Sequence, residues 1–280
     1  MALASYTELF SFAKKHKVTI GAFNSFNMET LQAIVMAAEE KDSPLIVQTY
    51  HAHMKFAGAD YMRAICETAM NRVKVKIAMG LDHGQNYEQA KLCIDNGYSG
   101  VMIDLSSSDF DYNIAQTKKV VDLAHARGVS VEAELGKIMD ADRSVEEIAQ
   151  GYTDPDMAVK FVKETNIDCL AVSIGTAHGI YKFTPKINFD LLEVLIKDVP
   201  CPIVVHGGSN TPDDDILKMV KLGVTKLNIG TDMFNAYNKA LFDYLKNTEK
   251  QECSQMMAVA REAVKAVALD KLALLNAYRV

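Results

Sequence analysis

Residues 100–136 read GVMIDLSSSDFDYNIAQTKKVVDLAHARGVSVEAELG. A short apolar run at 100–106 gives way to helical periodicity over 111–128, which ends in a glycine as helix C-termini often do, and a second apolar run follows at 129–136. Strand, helix, strand is the unit of a parallel sheet. The unit recurs along the chain, with further apolar runs at 18–24, 44–50, 73–80, 169–175, 201–207 and 225–231. Helical stretches such as ETLQAIVMAAEEKD, NYEQAKLCIDNG and PDDDILKMVKLG lie between them, the last loading its first turn with Asp213 to Asp215, the charge its dipole favours. Eight strands in roughly 230 residues favour a closed sheet over an open one. The expected fold is therefore α/β, a (β/α)8 TIM barrel.

Barrels of this kind commonly use about 250 residues as one unit, so the 280 residues are read as a single domain, with 246–280 a C-terminal helical extension. The stretch MMAVAREAVKAVALDKLALL runs longer than one closing helix needs. It fits either a helix laid across its own barrel or one that packs on a second subunit.

With 49% hydrophobic and 24% charged residues the composition is that of an ordinary soluble globular protein. A net charge of -6, with basic pairs such as Lys14-Lys15 and Lys118-Lys119 small and scattered, argues against a nucleic-acid partner and leaves no basic patch for a membrane. The opening MALASYTELF lacks the features of a secretory leader, and no window is apolar enough to span a bilayer, so a cytoplasmic location is expected. Five cysteines form an odd, widely spaced set without a CxxC pair, and they read as reduced core residues.

In such barrels the active site is built at the C-terminal ends of the strands, and the reactive residues fall there. Asp82 and His83 follow the third run, Asp104 ends the fourth, Glu134 lies near the end of the fifth, His178 follows the sixth, His206 is near the end of the seventh and Asn228 lies in the eighth. Three of the seven histidines thus converge on one mouth, while His16 and His125 lie at helix ends and His51 and His53 follow strand two. Three imidazoles from separate strands give a divalent metal three neutral ligands and leave a position open for substrate, the pattern of a catalytic zinc. Each histidine is followed by glycine, in DHG, AHG and HGG, and glycine lets backbone approach a ligand closely. HGGSN at 206–210 and NIGTD at 228–232 each offer backbone N–H groups and hydroxyls ahead of a helix start, a phosphate site after strands seven and eight. Gly207, Gly208, Ser209, Asn228, Gly230 and Thr231 are its candidate residues. A metal beside a phosphate pocket and an aspartate suggests carbon chemistry on a sugar phosphate.

These residues resemble the class II, metal-dependent ketose-bisphosphate aldolases, the fructose- and tagatose-bisphosphate aldolase family. The resemblance spans GAFN (21–24), LDHG (81–84), MID (102–104), EAELG (132–136), YTDP (152–155), AVSIGTAHGIYK (171–182), VHGGS (205–209) and KLNIGTD (226–232). It implies that His83, His178 and His206 bind one zinc ion, and that Asp82 is the acid/base on the C4 hydroxyl whose deprotonation starts C3–C4 cleavage. Asp104 and Glu134 match acidic positions around the metal, as supporting groups or an alternate metal position, although a buried acid paired with a lysine is the simpler reading for either. Asn24, Gly179, Gly207, Ser209, Asn228 and Thr231 match substrate-holding positions, with Lys182 adding a charge and a monovalent cation allowed near the phosphate. Arg261, in AREAV, matches an arginine that reaches the far phosphate, often in a neighbouring subunit. A homodimer or homotetramer is accordingly expected.

The departures from the family pattern concern the rim. A loop glutamate that moves a carbon-bound proton is replaced within KIMDADRS (137–144), where its counterpart is read as Asp142 with Asp140 as competitor. Leu105 and Asn210 stand where the family has glycines, Gly230 stands where the fructose-bisphosphate pattern has an aspartate, and QTYHAH puts Tyr50 and His51 where a serine often holds the far phosphate. The expected reaction is cleavage of a ketose (bis)phosphate, such as fructose or tagatose 1,6-bisphosphate, into dihydroxyacetone phosphate and an aldehyde. The alternatives are a ketose 1-phosphate lacking the far phosphate, and isomerisation or epimerisation through the same enediolate.

Overall fold

The computed structural model describes residues 3–181, 184–249 and 252–280. Eight parallel strands close into a barrel in sequence order: β1 (Ile20–Asn24), β2 (Leu45–Tyr50), β3 (Ile77–Gly84), β4 (Gly100–Ile103), β5 (Ser130–Leu135), β6 (Cys169–Val172), β7 (Ile203–Val205) and β8 (Lys226–Ile229), with β8 paired back onto β1. Among the described residues the first helices are α1 (Tyr6–His16), α2 (Met28–Glu40), α3 (His51–Ala57), α4 (Ala59–Met70), α5 (Tyr87–Asp95) and α6 (Phe110–His125). They are followed by α7 (Val145–Ala149), α8 (Pro155–Thr165), α9 (Phe189–Asp198), α10 (Asp213–Leu222), α11 (Thr231–Asn247) and α12 (Cys253–Leu275). The expected (β/α)8 barrel is the observed one. Side chains set where the helices begin: Ser5 and Glu8 form a reciprocal cap on α1, and Asp154 caps α8 ahead of Pro155.

The barrel interior is layered. At the bottom, Ile20, Ala22, Ile46, Ala78, Met102, Cys169, Ala171 and Val204 pack around Tyr6, Leu9 and Phe10 of α1, which closes the barrel like a stopper. Gly80 and Gly100 exist for that stopper. A Cβ on Gly80 would sit 1.9 Å from the Tyr6 hydroxyl, and one on Gly100 would sit 2.4 Å from its ring. The outer core fills the space between strands and helices.

One strand is displaced from the sequence expectation. β3 runs over 77–84 instead of 73–80, so Asp82 and His83 lie inside the strand rather than after it. The reason is pairing: β2 is in register with β3 from Leu45↔Ile77 to Tyr50↔Asp82, whereas the N–H groups of Lys74 and Val75 are taken by the Glu39 carboxylate. Elsewhere β4, β6, β7 and β8 stop short of their apolar runs, which leaves Asp104 and His206 just beyond the last paired residue.

The long α12 lies across its own barrel. It packs on α2, α11 and β1, burying Ala260, Val264, Ala268, Leu272 and Leu275, and the Leu275 carbonyl accepts from the Thr19 N–H at 3.1 Å. Cys66, Cys93 and Cys169 are buried, Cys201 is partly covered and Cys253 is exposed, all with free thiols. No helix among the described residues is long and apolar enough to cross a membrane.

Candidate active site and metal centre

Above the stopper, the inward positions become polar. Glu132 of β5 and Lys226 of β8, both buried, form an ion pair of 2.6 Å across the barrel, and the other Glu132 oxygen meets His206 Nε2 at 2.8 Å. Burial opposes ionisation of Glu132, yet Lys226 and His206 outweigh it and hold the carboxyl down at about 2. The buried acid paired with lysine is therefore Glu132, not Asp104 or Glu134. With His206 Nε2–H donating to Glu132, its Nδ1 carries the lone pair, the tautomer a metal needs.

The next layer carries the chemistry. His83 has φ of +49°, and the β3–β4 register shifts between Leu81 and Gly84. That left-handed step breaks strand alternation, so the neighbours Asp82 and His83 both face one cavity. His83 Nδ1 meets Asp104 Oδ2 at 2.7 Å, and its Nε2 faces His206 Nδ1 at 2.9 Å. His178 completes the group: ligand atoms of His83, His178 and His206 all lie within 4.8 Å of one another. His178 Nε2 is buried without a hydrogen-bond partner. Burial, with the charges of His83 and His206, pushes His178 down to about 3, so it stands neutral at any ordinary pH. Burial would also lower His83, but Asp82, Asp104 and Glu134 more than reverse this and push it up to about 10.

Asp82 is held from both sides. Asn24 donates to one carboxylate oxygen at 2.6 Å and Asn228 to the other at 3.0 Å. Burial favours its neutral form, yet His83, His206, Lys226 and the Asn24 amide hold it below the ordinary carboxylate value. On the far side of His83, Asp104 and Glu134 share the Ser106 hydroxyl at 2.8 and 3.1 Å, and with His83 they make a second group of metal-ligand type. Burial and the Asp104 charge push Glu134 up to about 8, and its Oε2 has no hydrogen-bond partner.

The cavity, of about 220 Å³, is lined by Asn24, Tyr50, Asp82, His83, Asp140, His178, Gly179, His206, Gly207, Ser209, Asn228, Gly230, Thr231 and Phe234. The expected phosphate residues thus gather at the β7–β8 side. Ser209 Oγ accepts from the N–H groups of Gly230 at 3.2 Å and Asp232 at 3.1 Å, which ties the loop after β7 to the start of α11 and leaves the hydroxyl proton to donate. α11 opens on Gly230, which has no side chain to cap it; the Asp232 and Met233 N–H groups go to Ser209 Oγ and the Gly230 carbonyl, which leaves the Thr231 N–H of the first turn to face an anion.

Several expected residues lie elsewhere. Gly208 is outside the cavity, its N–H bonded to Asn228 O at 2.9 Å, and Arg261 stands on the outer face of α12. Lys182 falls outside the described residues. Asp142 is 60% exposed beside Arg143, whereas Asp140 reaches the cavity because His178 bonds through its N–H to Met139 O and through its carbonyl to Ala141 N. Of the glycines expected to make room for ligand, Gly179 and Gly207 line the cavity, whereas a Cβ on Gly84 would meet Met102 O at 2.4 Å. Gly80 and Gly84 serve packing, not substrate. Glu132, Lys226 and Phe234 are not among the expected residues; the first two are legible in alternation, since Glu132 shares a strand face with Glu134 and Lys226 with Asn228.

A three-histidine group, an ionised aspartate and an anion cradle at the C-terminal mouth of a (β/α)8 barrel define a class: barrel enzymes that handle a phosphorylated substrate with the help of a metal. The family model described as "Fructose-bisphosphate aldolase class-II" matches residues 4–279. The chain belongs to this generally metal-dependent family and is an aldolase, a carbon–carbon lyase, which sets aside the isomerase and epimerase readings. A "Fructose-bisphosphate aldolase" of Geobacillus stearothermophilus is 37% identical over 284 residues, covering 97% of this chain and 96% of its own. One of Staphylococcus aureus (strain Mu50) is 37% identical over 278 residues, covering 97% and 96%. The crystal structure of the YdjI aldolase from Escherichia coli K12 superposes with a TM-score of 0.87 at 32% identity, covering 98% of this chain and 97% of that one.

Proposed function

We propose that this aldolase works with one divalent cation, zinc, held by His83, His178 and His206. It cleaves a ketose between C3 and C4, with the C1 phosphate on the β7–β8 cradle, releasing dihydroxyacetone phosphate and an aldehyde. The observation that carries this reading is the convergence of three imidazole nitrogens, one of them buried and unpartnered, beside a carboxylate that two amides hold in place. The donor set fits the ion: three imidazole nitrogens, two of them on rings oriented by acids on their far sides, suit zinc, which would displace the proton that those acids favour on His83. The metal supplies a Lewis acid for the C2 carbonyl and so stabilises the negative charge that C3 acquires.

Asp82 accepts the C4 hydroxyl proton as the C3–C4 bond breaks and returns it in the condensation direction. Asn24 and Asn228 fix its two oxygens for that transfer. Asp140, rather than Asp142, delivers the proton that C3 takes up, since it alone of the two lines the cavity. Gly179, Gly207, Ser209, Asn228, Gly230 and Thr231 receive the phosphate through amides and hydroxyls, with Lys182 assigned there by sequence. Asp104 and Glu134 orient His83 and offer an alternate cation position. Fructose 1,6-bisphosphate, which the relatives' names imply, and its tagatose epimer both contain the half that this cradle receives. For the assembly, the apolar groove between α2 and α4, lined by Met28, Val35, Met36, Ile65 and Val73, is the face on which a homodimer would form.

Chelation tests the reading. Metal-free protein should lose release of triose phosphate and regain it with zinc, while His178→Ala should not regain it. Full activity after verified metal removal would sink the metal mechanism.

A further inference from the structure

We propose that the far end of this enzyme's ketose is uncharged: the substrate is held by one phosphate only, and its aldehyde half lies along an aromatic wall of Tyr50 and Phe234. The inference rests on the aldolase reading above and specifies its substrate class, a ketose 1-phosphate.

The wall stands on the β1–β2 side of the cavity. Tyr50 ends β2 and Phe234 lies in the first turn of α11, and both line the cavity. The His53 ring is packed against both, 5.6 Å from Tyr50 and 4.8 Å from Phe234, in edge-on geometry. Phe26 backs this group at 5.5 Å from His53 and 5.4 Å from Phe234. Rings locked edge to face in this way form a rigid apolar surface, suited to the C–H faces of a polyhydroxy chain.

The same surface is a poor place for a phosphate. Ring faces carry the negative side of the aromatic quadrupole, and a dianion taken out of water without a cation pays a heavy desolvation cost. Among the described residues lining the cavity there is no lysine or arginine, and Asp82 and Asp140 add negative charge. Burial pushes the His53 imidazole below its ordinary value, so it is neutral at physiological pH. The cation that the family resemblance assigns to a neighbouring copy is Arg261. Its guanidinium already faces the Glu262 carboxylate at 3.3 Å through both Nε and Nη2, and Gln32 at 3.4 Å.

The condensation direction gives the test, because it lets the aldehyde be varied alone. A proton leaves the hydroxymethyl carbon of dihydroxyacetone phosphate, that carbon bonds to the aldehyde carbon, and the aldehyde oxygen takes up a proton. D- and L-glyceraldehyde would be compared with D- and L-glyceraldehyde 3-phosphate, using full-length zinc-loaded enzyme and following dihydroxyacetone phosphate consumption. In parallel, deuterium exchange at the hydroxymethyl carbon in D2O reports the half-reaction without any aldehyde. The expected result is a kcat/KM at least about tenfold higher for one of the unphosphorylated aldehydes than for either phosphorylated one. Phe234→Arg, which supplies the missing cation, should move that ratio about tenfold or more toward the phosphorylated aldehyde. Tyr50→Ser is the second variant should the first not fold, and it too should erode the preference. Preference of the wild type for the phosphorylated aldehyde, lost in Arg261→Ala, would overturn the inference and assign the far phosphate to a neighbouring copy. Preference for it without dependence on Arg261 would overturn the inference as well. Absence of deuterium exchange would instead overturn the aldolase reading beneath it.

Discussion

Asp82 and Asp140 are proposed to move different protons, and this makes them separable. Asp82, between Asn24 and Asn228, serves the C4 hydroxyl; Asp140, on the rim beside His178, serves the carbon. Asp82→Asn should therefore lower ketose cleavage by roughly 10²–10⁴-fold while leaving deuterium exchange into dihydroxyacetone phosphate measurable. Asp140→Asn should lose that exchange, and Asp142→Asn should keep it; exchange lost only in the Asp142 variant would reverse the assignment. Glu132 acts differently, through stability. It is paired with Lys226 deep in the barrel, and removing one partner of a buried pair typically costs about 3–5 kcal/mol. Its folded pKa, about 2, is depressed below the ordinary value of 4.5, so its contribution is fully present above that ordinary value and is lost as pH falls through the folded one. Glu132→Gln should thus melt well below wild type at pH 7, and the gap should narrow between pH 4.5 and 3. A gap that stays constant over that window would mean the ion pair contributes nothing. Asp82 and the three histidines were legible as reactive types at strand ends, whereas the loop proton carrier was read as Asp142, with Asp140 only its competitor. The Glu132–Lys226 pair was legible only through alternation, because nothing local says that an acid on one strand and a lysine nearly a hundred residues later meet across an interior.

At the scale of elements, the repeated strand–helix unit was enough to predict closure, since eight parallel strands with crossover helices bury both faces of the sheet. Boundaries were less legible where pairing, not composition, decides them: VKVK at 73–76 alternates like a strand, yet Glu39 binds its backbone and the ladder starts at Ile77. The stopper α1 was hidden for a different reason. Its amphipathic pattern is that of any surface helix, and only the glycines it packs on betray where it goes. Gly80 is space for Tyr6. Gly80→Ala should consequently destabilise by about 1–3 kcal/mol, the usual cost of overpacking, without touching the cavity. Combining it with Tyr6→Phe, which removes the atom that clashes, should recover much of the loss in chemical denaturation. A single variant as stable as wild type would show that the stopper yields freely.

For the whole molecule, the proposed metal centre would act as a cross-link. His83 lies in β3, His178 on the loop after β6 and His206 just past β7, so one ion on these ligands would join segments spanning residues 83 to 206. An ion bound by three ligands in the folded chain, and by no preformed site in the unfolded one, stabilises by mass action. His178 is neutral already and its Nε2 has no partner to surrender, so this ligand adds little proton competition and breaks no hydrogen bond. Zinc at a hundred times its dissociation constant should add about 2.7 kcal/mol, which for a chain of this size raises the melting temperature by roughly 5–10 °C. His178→Ala separates this from any general effect of zinc on the protein. The substitution removes an unpartnered imidazole, so the metal-free variant should melt close to metal-free wild type, whereas the zinc-dependent rise should largely vanish. Equal rises in variant and wild type would place the ion elsewhere, with the His83–Asp104–Glu134 group as the site to test next.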